Sequence, residues 1–233
     1  MIIMKNSDNS TPHLASEFDL EVMVSLPYYH SFHDETVNLI KAMGIEPKTW
    51  LDTGCGTGAL VNRAIKEFPE TKFILCDPSA EMLHQAQQKL KSYPFGDILF
   101  LKPLPTQDFP PGLCTSPDVI TAIQSHHYLS PDQRKKATHA CYNLLRDDGV
   151  YVTFENVRSF TDEGTKIGRG YWKNFQLKGG RDSEAADAHL DRFDREFFPI
   201  TVEEHLNILR ETGFRVVELF WFSYMQAGFY AIK

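Results

Sequence analysis

The segment Leu51-Asp52-Thr53-Gly54-Cys55-Gly56-Thr57-Gly58 sets three alternating glycines behind an acid. Glycines at that spacing allow a sharp turn and a close approach of backbone to ligand. Asp52 narrows the choice of ligand. A carboxylate in front of the turn repels a pyrophosphate and suits an ammonium group. Asp77 follows about 20 residues past the loop, where an acid can accept hydrogen bonds from ribose hydroxyls. The two acids together describe a ligand with a ribose at one end and an amine at the other.

S-Adenosylmethionine meets that description. A dinucleotide shares Asp77 but is opposed by Asp52. The bland alternative is two solvated acids around a loop kept small for strand–helix packing. A second set of candidates is Gln124-Ser125-His126-His127-Tyr128-Leu129, where His126 or His127 could act as a base or orient a substrate. Against this stands a packed histidine bonded to a backbone carbonyl. His30 and His33, at i and i+3, share a helix face with Tyr29 and could cover a substrate. No carboxylate–histidine spacing marks a metal site, and none is expected. Residues 158–199 hold Arg169, Tyr171, Trp172, Lys173, Arg181, Arg192 and Arg195 among eight Lys/Arg and eight Asp/Glu. A solvated salt-bridged surface accounts for such a mixture. The functional reading is an inward Arg192 or Arg195 gripping a substrate carboxylate bidentately. Trp172 and Tyr171 could stack on that substrate or pack the segment down.

The elements that position these residues alternate. Apolar spacing from about Leu20 to Met43, broken near Pro27, predicts one or two helices. Thr49 to Asp52 reads as a buried strand, and Ala59 to Phe68 as a helix. Lys72 to Cys76 is a second strand, and Ser79 caps a helix from Ala80 to Leu90. Further strands are expected at Ile98–Leu101, Asp118–Ile123 and Val150–Glu155, with a helix from Pro131 to Leu145. Thr201 with Glu204 forms a capping box for a helix closed by Gly213. Phe214–Phe220 and Tyr224–Ile232 read as two last strands. Alternation implies a parallel sheet with helices on both faces. The short final connection forces the last strand to run antiparallel.

Bulk properties set limits on function. The 233 residues fit one α/β domain over 20–233, with a polar tail at 1–19, a helical cover at 20–45 and a lid at 158–199. Net charge is −7, and Lys135-Lys136 beside Arg134 is the longest basic run, so direct nucleic-acid binding is not expected. No apolar run has the length of a membrane span and no basic-then-apolar start marks a secretory signal. Cys55, Cys76, Cys114 and Cys141 are scattered, as reduced thiols of a cytoplasmic protein would be.

The stretches LDTGCGTG and ILCDPSAEML resemble the cofactor signature of class I S-adenosylmethionine-dependent methyltransferases. Within that family the chain is similar, from Ser25-Leu26-Pro27-Tyr28 onward, to carboxy-S-adenosylmethionine synthases. Val202-Glu203-Glu204-His205 and the terminal Ala227-Gly228-Phe229-Tyr230 carry that likeness. The resemblance implies a Rossmann-like, doubly wound sheet of seven strands, mostly parallel, with an antiparallel last strand. It implies methyl transfer from S-adenosylmethionine to a small-molecule acceptor, leaving S-adenosylhomocysteine. The alternatives are carboxylation of the cofactor's methyl group with prephenate, for tRNA wobble-uridine modification, or cofactor binding without turnover. It also implies a homodimer as one possible state. Asp52, Thr53, Gly54, Cys55 and Gly56 fall at the methionine end and Asp77 at the ribose. Pro78, Ser79 and Met82 border the adenine, and Ile123 and Gln124 face the cofactor. Many relatives carry an acid after the third strand. Here Leu101-Lys102-Pro103-Leu104 stands there, and backbone near Leu104 is left to hold the adenine amine.

Overall fold

Three short segments, TWLDT, VITAI and VYVTFEN, are buried along nearly their whole length, as the central strands of a sheet covered on both faces must be. A computed structural model of the chain describes residue 11, residues 13–93 and residues 97–233. Its strands are β1 (Thr49–Thr53), β2 (Lys72–Cys76), β3 (Ile98–Phe100), β4 (Val119–Ile123), β5 (Val150–Asn156), β6 (Val216–Ser223) and β7 (Gln226–Ile232). They form one sheet in the order β3-β2-β1-β4-β5-β7-β6. The first five run parallel, and β7 is antiparallel to both β5 and β6. The reversed last strand follows from the two residues separating β6 from β7, too few for a crossover.

The helices are α1 (Phe18–Ser25), α2 (Tyr29–Ala42), α3 (Ala59–Ala64), α4 (Ala80–Leu90), α5 (Pro131–Leu144), α6 (Asp162–Lys178), α7 (Ser183–Leu190) and α8 (Val202–Thr212). Ser79 caps α4 through the Met82 amide, and Thr201 with Glu204 closes a capping box on α8. Strand residues alternate between two apolar layers. Trp50, Phe73 and Phe154 face the layer under α2 and α3, while Leu51, Ile74 and Tyr151 face that under α5 and α8.

Some boundaries move. The polar segment at 1–19 does not extend to its expected end, because α1 already begins at Phe18. Residues 1–10 and 12 of that segment lie outside the described residues. Helix α3 ends at Ala64 rather than Phe68, the chain continuing in turns to Phe68. Residues 158–199 form two helices off the sheet. Trp172 of α6 is fully buried, and its Nε1 donates to the Ser25 carbonyl at 2.7 Å. It packs the segment down and is not available to stack on a substrate. No helix among the described residues is long and apolar enough to cross a membrane.

Candidate functional site

Beyond the carboxyl ends of β1, β2 and β4 lies a cleft of about 820 Å³, its open mouth included. This is where an open parallel sheet places its ligands. Asp52 ends β1 and is 2% exposed. Thr121 on the neighbouring strand donates to its Oδ1 at 2.7 Å. Burial pushes this carboxyl up to about 7; the Thr121 bond opposes the shift and the charge of Asp77 adds to it. The glycine loop then turns with Gly54 at φ +62° and Gly56 at φ +52°. A Cβ on Gly54 would stand 2.4 Å from the Ser125 Cβ, so this glycine lets the loop after β4 pack against the loop after β1. A Cβ on Gly56 would meet nothing within 4 Å, which leaves that backbone open to a ligand.

Asp77 directly follows β2 and works on two backbones. Its Oδ2 accepts the Gly56 N–H at 2.9 Å and its Oδ1 accepts the Ser79 N–H at 2.8 Å. Pro78 and Met82 continue the wall behind it. Ile123 and Gln124 close the opposite side. The roof comes from before the sheet and had only partly been expected. Thr11 and Phe18 line the cleft, as do Tyr29 and His33 on α2. Tyr29 thus belongs to this cleft, whereas His30 is exposed.

Three expected cofactor residues serve the walls from behind. The Thr53 hydroxyl pairs with that of Thr106 at 2.5 Å. Ser79 is buried as the cap of α4. Leu104 donates its N–H to the Asp77 carbonyl at 3.2 Å and accepts the Cys76 thiol at 3.3 Å. Its backbone fixes the end of β2 instead of facing the cleft.

The loop after β4 corrects the expectation for the two histidines. His126 and His127 are buried and neither lines the cleft. Both are anchored to Glu155 of β5, itself wholly buried. That carboxylate accepts the N–H groups of His126 at 3.2 Å and His127 at 2.9 Å, the His127 ring at 2.8 Å and the Thr153 hydroxyl at 2.7 Å. Burial pushes Glu155 up, but the donors, His127 foremost, outweigh it and hold the acid at about 2. With Nδ1–H given to Glu155, the Nε2 of His127 accepts the Asn156 amide at 3.2 Å. Gln226 in turn donates to Asn156 Oδ1 at 3.1 Å. Nothing in this chain of bonds leaves His127 free to take a proton from a ligand in the cleft. What the turn does present is Gln124, at φ +55° with both side-chain amide atoms buried and unpaired, and Ser125 with its hydroxyl likewise. A strained backbone with orphaned polar atoms beside a cleft is where a ligand completes the bonding.

A second chamber, of about 410 Å³, adjoins the first. The two share Thr11, Phe18, Gln124 and Tyr128 as their common border. Asn156, His189 and Arg192 are among its polar lining residues, and Val22, Leu26 and Phe197 among its apolar ones. Arg192 is buried, with Nε on Glu196 at 2.6 Å and its guanidinium over the Phe197 ring at 5.8 Å. Arg195 is exposed and lines neither chamber. Burial, with Arg181 and Arg192 nearby, pushes His189 down to about 3, so it stands there neutral. The sequence carried no sign of Asn156 or His189. The roof is fastened to the glycine loop: Thr57 donates to Asp19 at 2.7 Å, and Lys89 reaches Asp19 at 2.6 Å and Thr57 at 2.8 Å. Among the described residues, no three His, Cys, Asp or Glu side chains are arranged to hold a metal ion.

Residues 51–151 match a family described as a methyltransferase domain. Over 94% of its length the chain is 21% identical to a carboxy-S-adenosyl-L-methionine synthase of Nautilia profundicola, of which the match covers 92%. A synthase of the same name from Trichodesmium erythraeum is 24% identical over 86% of the chain and 79% of its own length. Among solved structures, an O-methyltransferase family protein from Burkholderia thailandensis superposes over 97% of the chain with a TM-score of 0.60 at 13% identity. Human N-acetylserotonin methyltransferase in complex with S-adenosylmethionine gives 0.57 over 95% at 16% identity. The chain spans 65% and 60% of the lengths of those two proteins, and at such identities the likeness is one of fold. Residues 51–151 thus match a methyltransferase domain, the glycine loop and the reversed last strand agree with that fold, and the chain as a whole resembles the carboxy-S-adenosylmethionine synthases.

Proposed function

We propose that the chain moves the methyl group of S-adenosylmethionine onto a small-molecule acceptor seated in the second chamber. The observation that carries this reading is the shared border of the two chambers at Gln124, Tyr128 and Phe18. The residues present fit the cofactor. Asp52 suits its ammonium group, Asp77 its ribose hydroxyls, and Pro78 with Met82 an apolar adenine face. Open space at Gly56 and the unpaired Gln124 amide leave room and bonds for the centre of the molecule. The cofactor supplies an electrophilic methyl group. The protein's part is to hold the two partners in line and keep water out. Among the described residues at the border, no side chain is free to act as a base in the way expected of His126 or His127. The chamber therefore favours an acceptor that needs alignment more than deprotonation. A protein that only bound the cofactor would have no use for a second chamber.

A second reading has its own support. Arg192 puts a buried cation beside the border, and a carboxy-S-adenosylmethionine synthase, the name the curated relatives bear, must hold a carboxyl group. Mass spectrometry of the small molecule released from the purified protein on denaturation separates the two. S-Adenosylmethionine or S-adenosylhomocysteine supports the methyltransferase and directs effort to acceptor screening. The carboxylated nucleoside supports the synthase, with prephenate as the substrate to add. The absence of any such nucleoside, together with no binding of added S-adenosylmethionine, removes both.

A further inference from the structure

The amino-acid end of S-adenosylmethionine carries an ammonium and a carboxylate side by side, and Asp52 can answer only the first. Among the described residues lining the cleft there is no lysine and no arginine, and His33 is the one side chain that can become a cation. The nearby cations are engaged elsewhere. Lys89 is held by Asp19 and Thr57, and Arg63 of α3 by Asp34 and Glu67. His33 stands one helical turn after Tyr29 on the same face of α2, its ring set edge-on to the tyrosine at 4.8 Å. It is 6% exposed, and its ring has no hydrogen bond to any described residue. A buried imidazole with no hydrogen-bond partner among the described residues, held by an aromatic neighbour against a cleft, is oriented toward whatever fills the cleft.

We infer that His33 takes the carboxylate of the cofactor's methionine moiety, as an imidazolium formed when the cofactor binds. This rests on the reading of the cleft as the cofactor site. The charged and titratable groups around His33 are His30 and Asp34 on its own helix, Asp19 on α1, Lys89 on α4, Asp52 on β1 and the Tyr29 phenol. Burial, then His30 and Lys89, push the empty-cleft imidazole down to about 4, against Asp34 and Asp19. It is neutral before binding, and an adjacent carboxylate raises it. Asp52 starts in the opposite state, largely protonated below about 7, and must ionise to meet the ammonium. One proton leaves Asp52 as one joins His33, so binding rearranges charge in the cleft with little net exchange with solvent.

Titration calorimetry in two buffers of different ionisation enthalpy counts those protons. The probes are S-adenosylmethionine and decarboxylated S-adenosylmethionine, which keeps the ammonium and the sulfonium but lacks the carboxylate. 5′-Methylthioadenosine, which lacks the whole amino-acid end, reports that the adenosine half still binds. At about pH 6, wild type should release about one proton more with the decarboxylated ligand than with the intact one. His33→Asn should release equally with both, lose about tenfold in its preference for the intact cofactor and bind 5′-methylthioadenosine as wild type does. Equal release by wild type with the two ligands overturns the inference, whether or not the variant folds. A release difference that persists in His33→Asn overturns it as well. If none of the three ligands binds, the cofactor reading itself has failed and the inference falls with it.

Discussion

Asp77 Oδ2 accepts the backbone N–H of Gly56 at 2.9 Å, so the acid that follows β2 also sets the shape of the loop that follows β1. Asp77→Ala removes that loop anchor and, on the proposed reading of the cleft, a ribose partner with it. Cofactor affinity should fall by about tenfold to a hundredfold, about 1.5–3 kcal/mol. Titration calorimetry measures it, and unchanged affinity would remove Asp77 from the site.

Asp52 should impose a pH dependence on binding. Its carboxyl is raised to about 7 in the empty cleft, and only its ionised form attracts an ammonium. The affinity of wild type relative to Asp52→Asn should therefore climb by about tenfold per pH unit below about pH 7 and level off above it. Taking the ratio of the two proteins cancels every other titrating group. A ratio that stays flat between about pH 5 and pH 8 excludes the carboxylate as the ammonium partner.

Gly54 is constrained twice, by φ +62° and by the Ser125 Cβ only 2.4 Å from where its own would be. Gly54→Ala should cost about 2–4 kcal/mol in denaturant unfolding. Adding Ser125→Gly should recover the steric share and leave about 1 kcal/mol of backbone strain. Simple additivity of the two changes would show that the loops are not in contact there.

The Glu155 anchor is a stability element. Glu155→Gln turns an amide donor toward the N–H groups of His126 and His127, and His127→Ala strands Glu155 and Asn156. Each should lose about 2–4 kcal/mol by urea unfolding. A His127→Ala protein as stable as wild type but slow in turnover would restore that histidine to the chemistry.

Acid should unfold the protein early. His126, His189 and His205 are neutral inside, with burial pushing them to about 4, 3 and 3. Their unfolded-state values lie near 6.5, so the unfolded chain binds more protons below that pH. The stability they contribute is complete above about 6.5 and is lost as pH falls toward about 4, at up to about 1.4 kcal/mol per pH unit for each histidine. Melting temperatures across this range should show the decline, and His205→Leu should make it shallower. An equal slope in that variant would mean that His205 is already solvated.

The sheet could be read from the chain because each of its causes is local. Val119–Ile123 and Val150–Phe154 are short, β-branched and mostly apolar runs, as interior strands are, and the short β6–β7 turn dictates direction by itself. The floor of the cleft was legible for the same reason, since Asp52 and Asp77 sit at strand ends that the glycines and a proline mark. The two histidines were misplaced because their burial depends on a side chain 28 and 29 residues away. Only the pairing of β4 with β5 brings Glu155 beneath them. Tyr29 and His33 were visible as one helix face, but which chamber that face covers depends on how α2 crosses the sheet. Thr11 lies in a polar, aperiodic stretch where no pattern exists to be read.

The bond from Trp172 to the Ser25 carbonyl joins residues 147 apart in the chain. During synthesis from the N-terminus, α1 and the glycine loop emerge long before α6 does. The growing chain thus displays a finished floor under an unsecured roof. Contacts of such long sequence separation also form late in folding. Firm capture of a nucleoside cofactor is in this respect a property of the completed polypeptide, whereas the cradle that recognises it is ready much sooner.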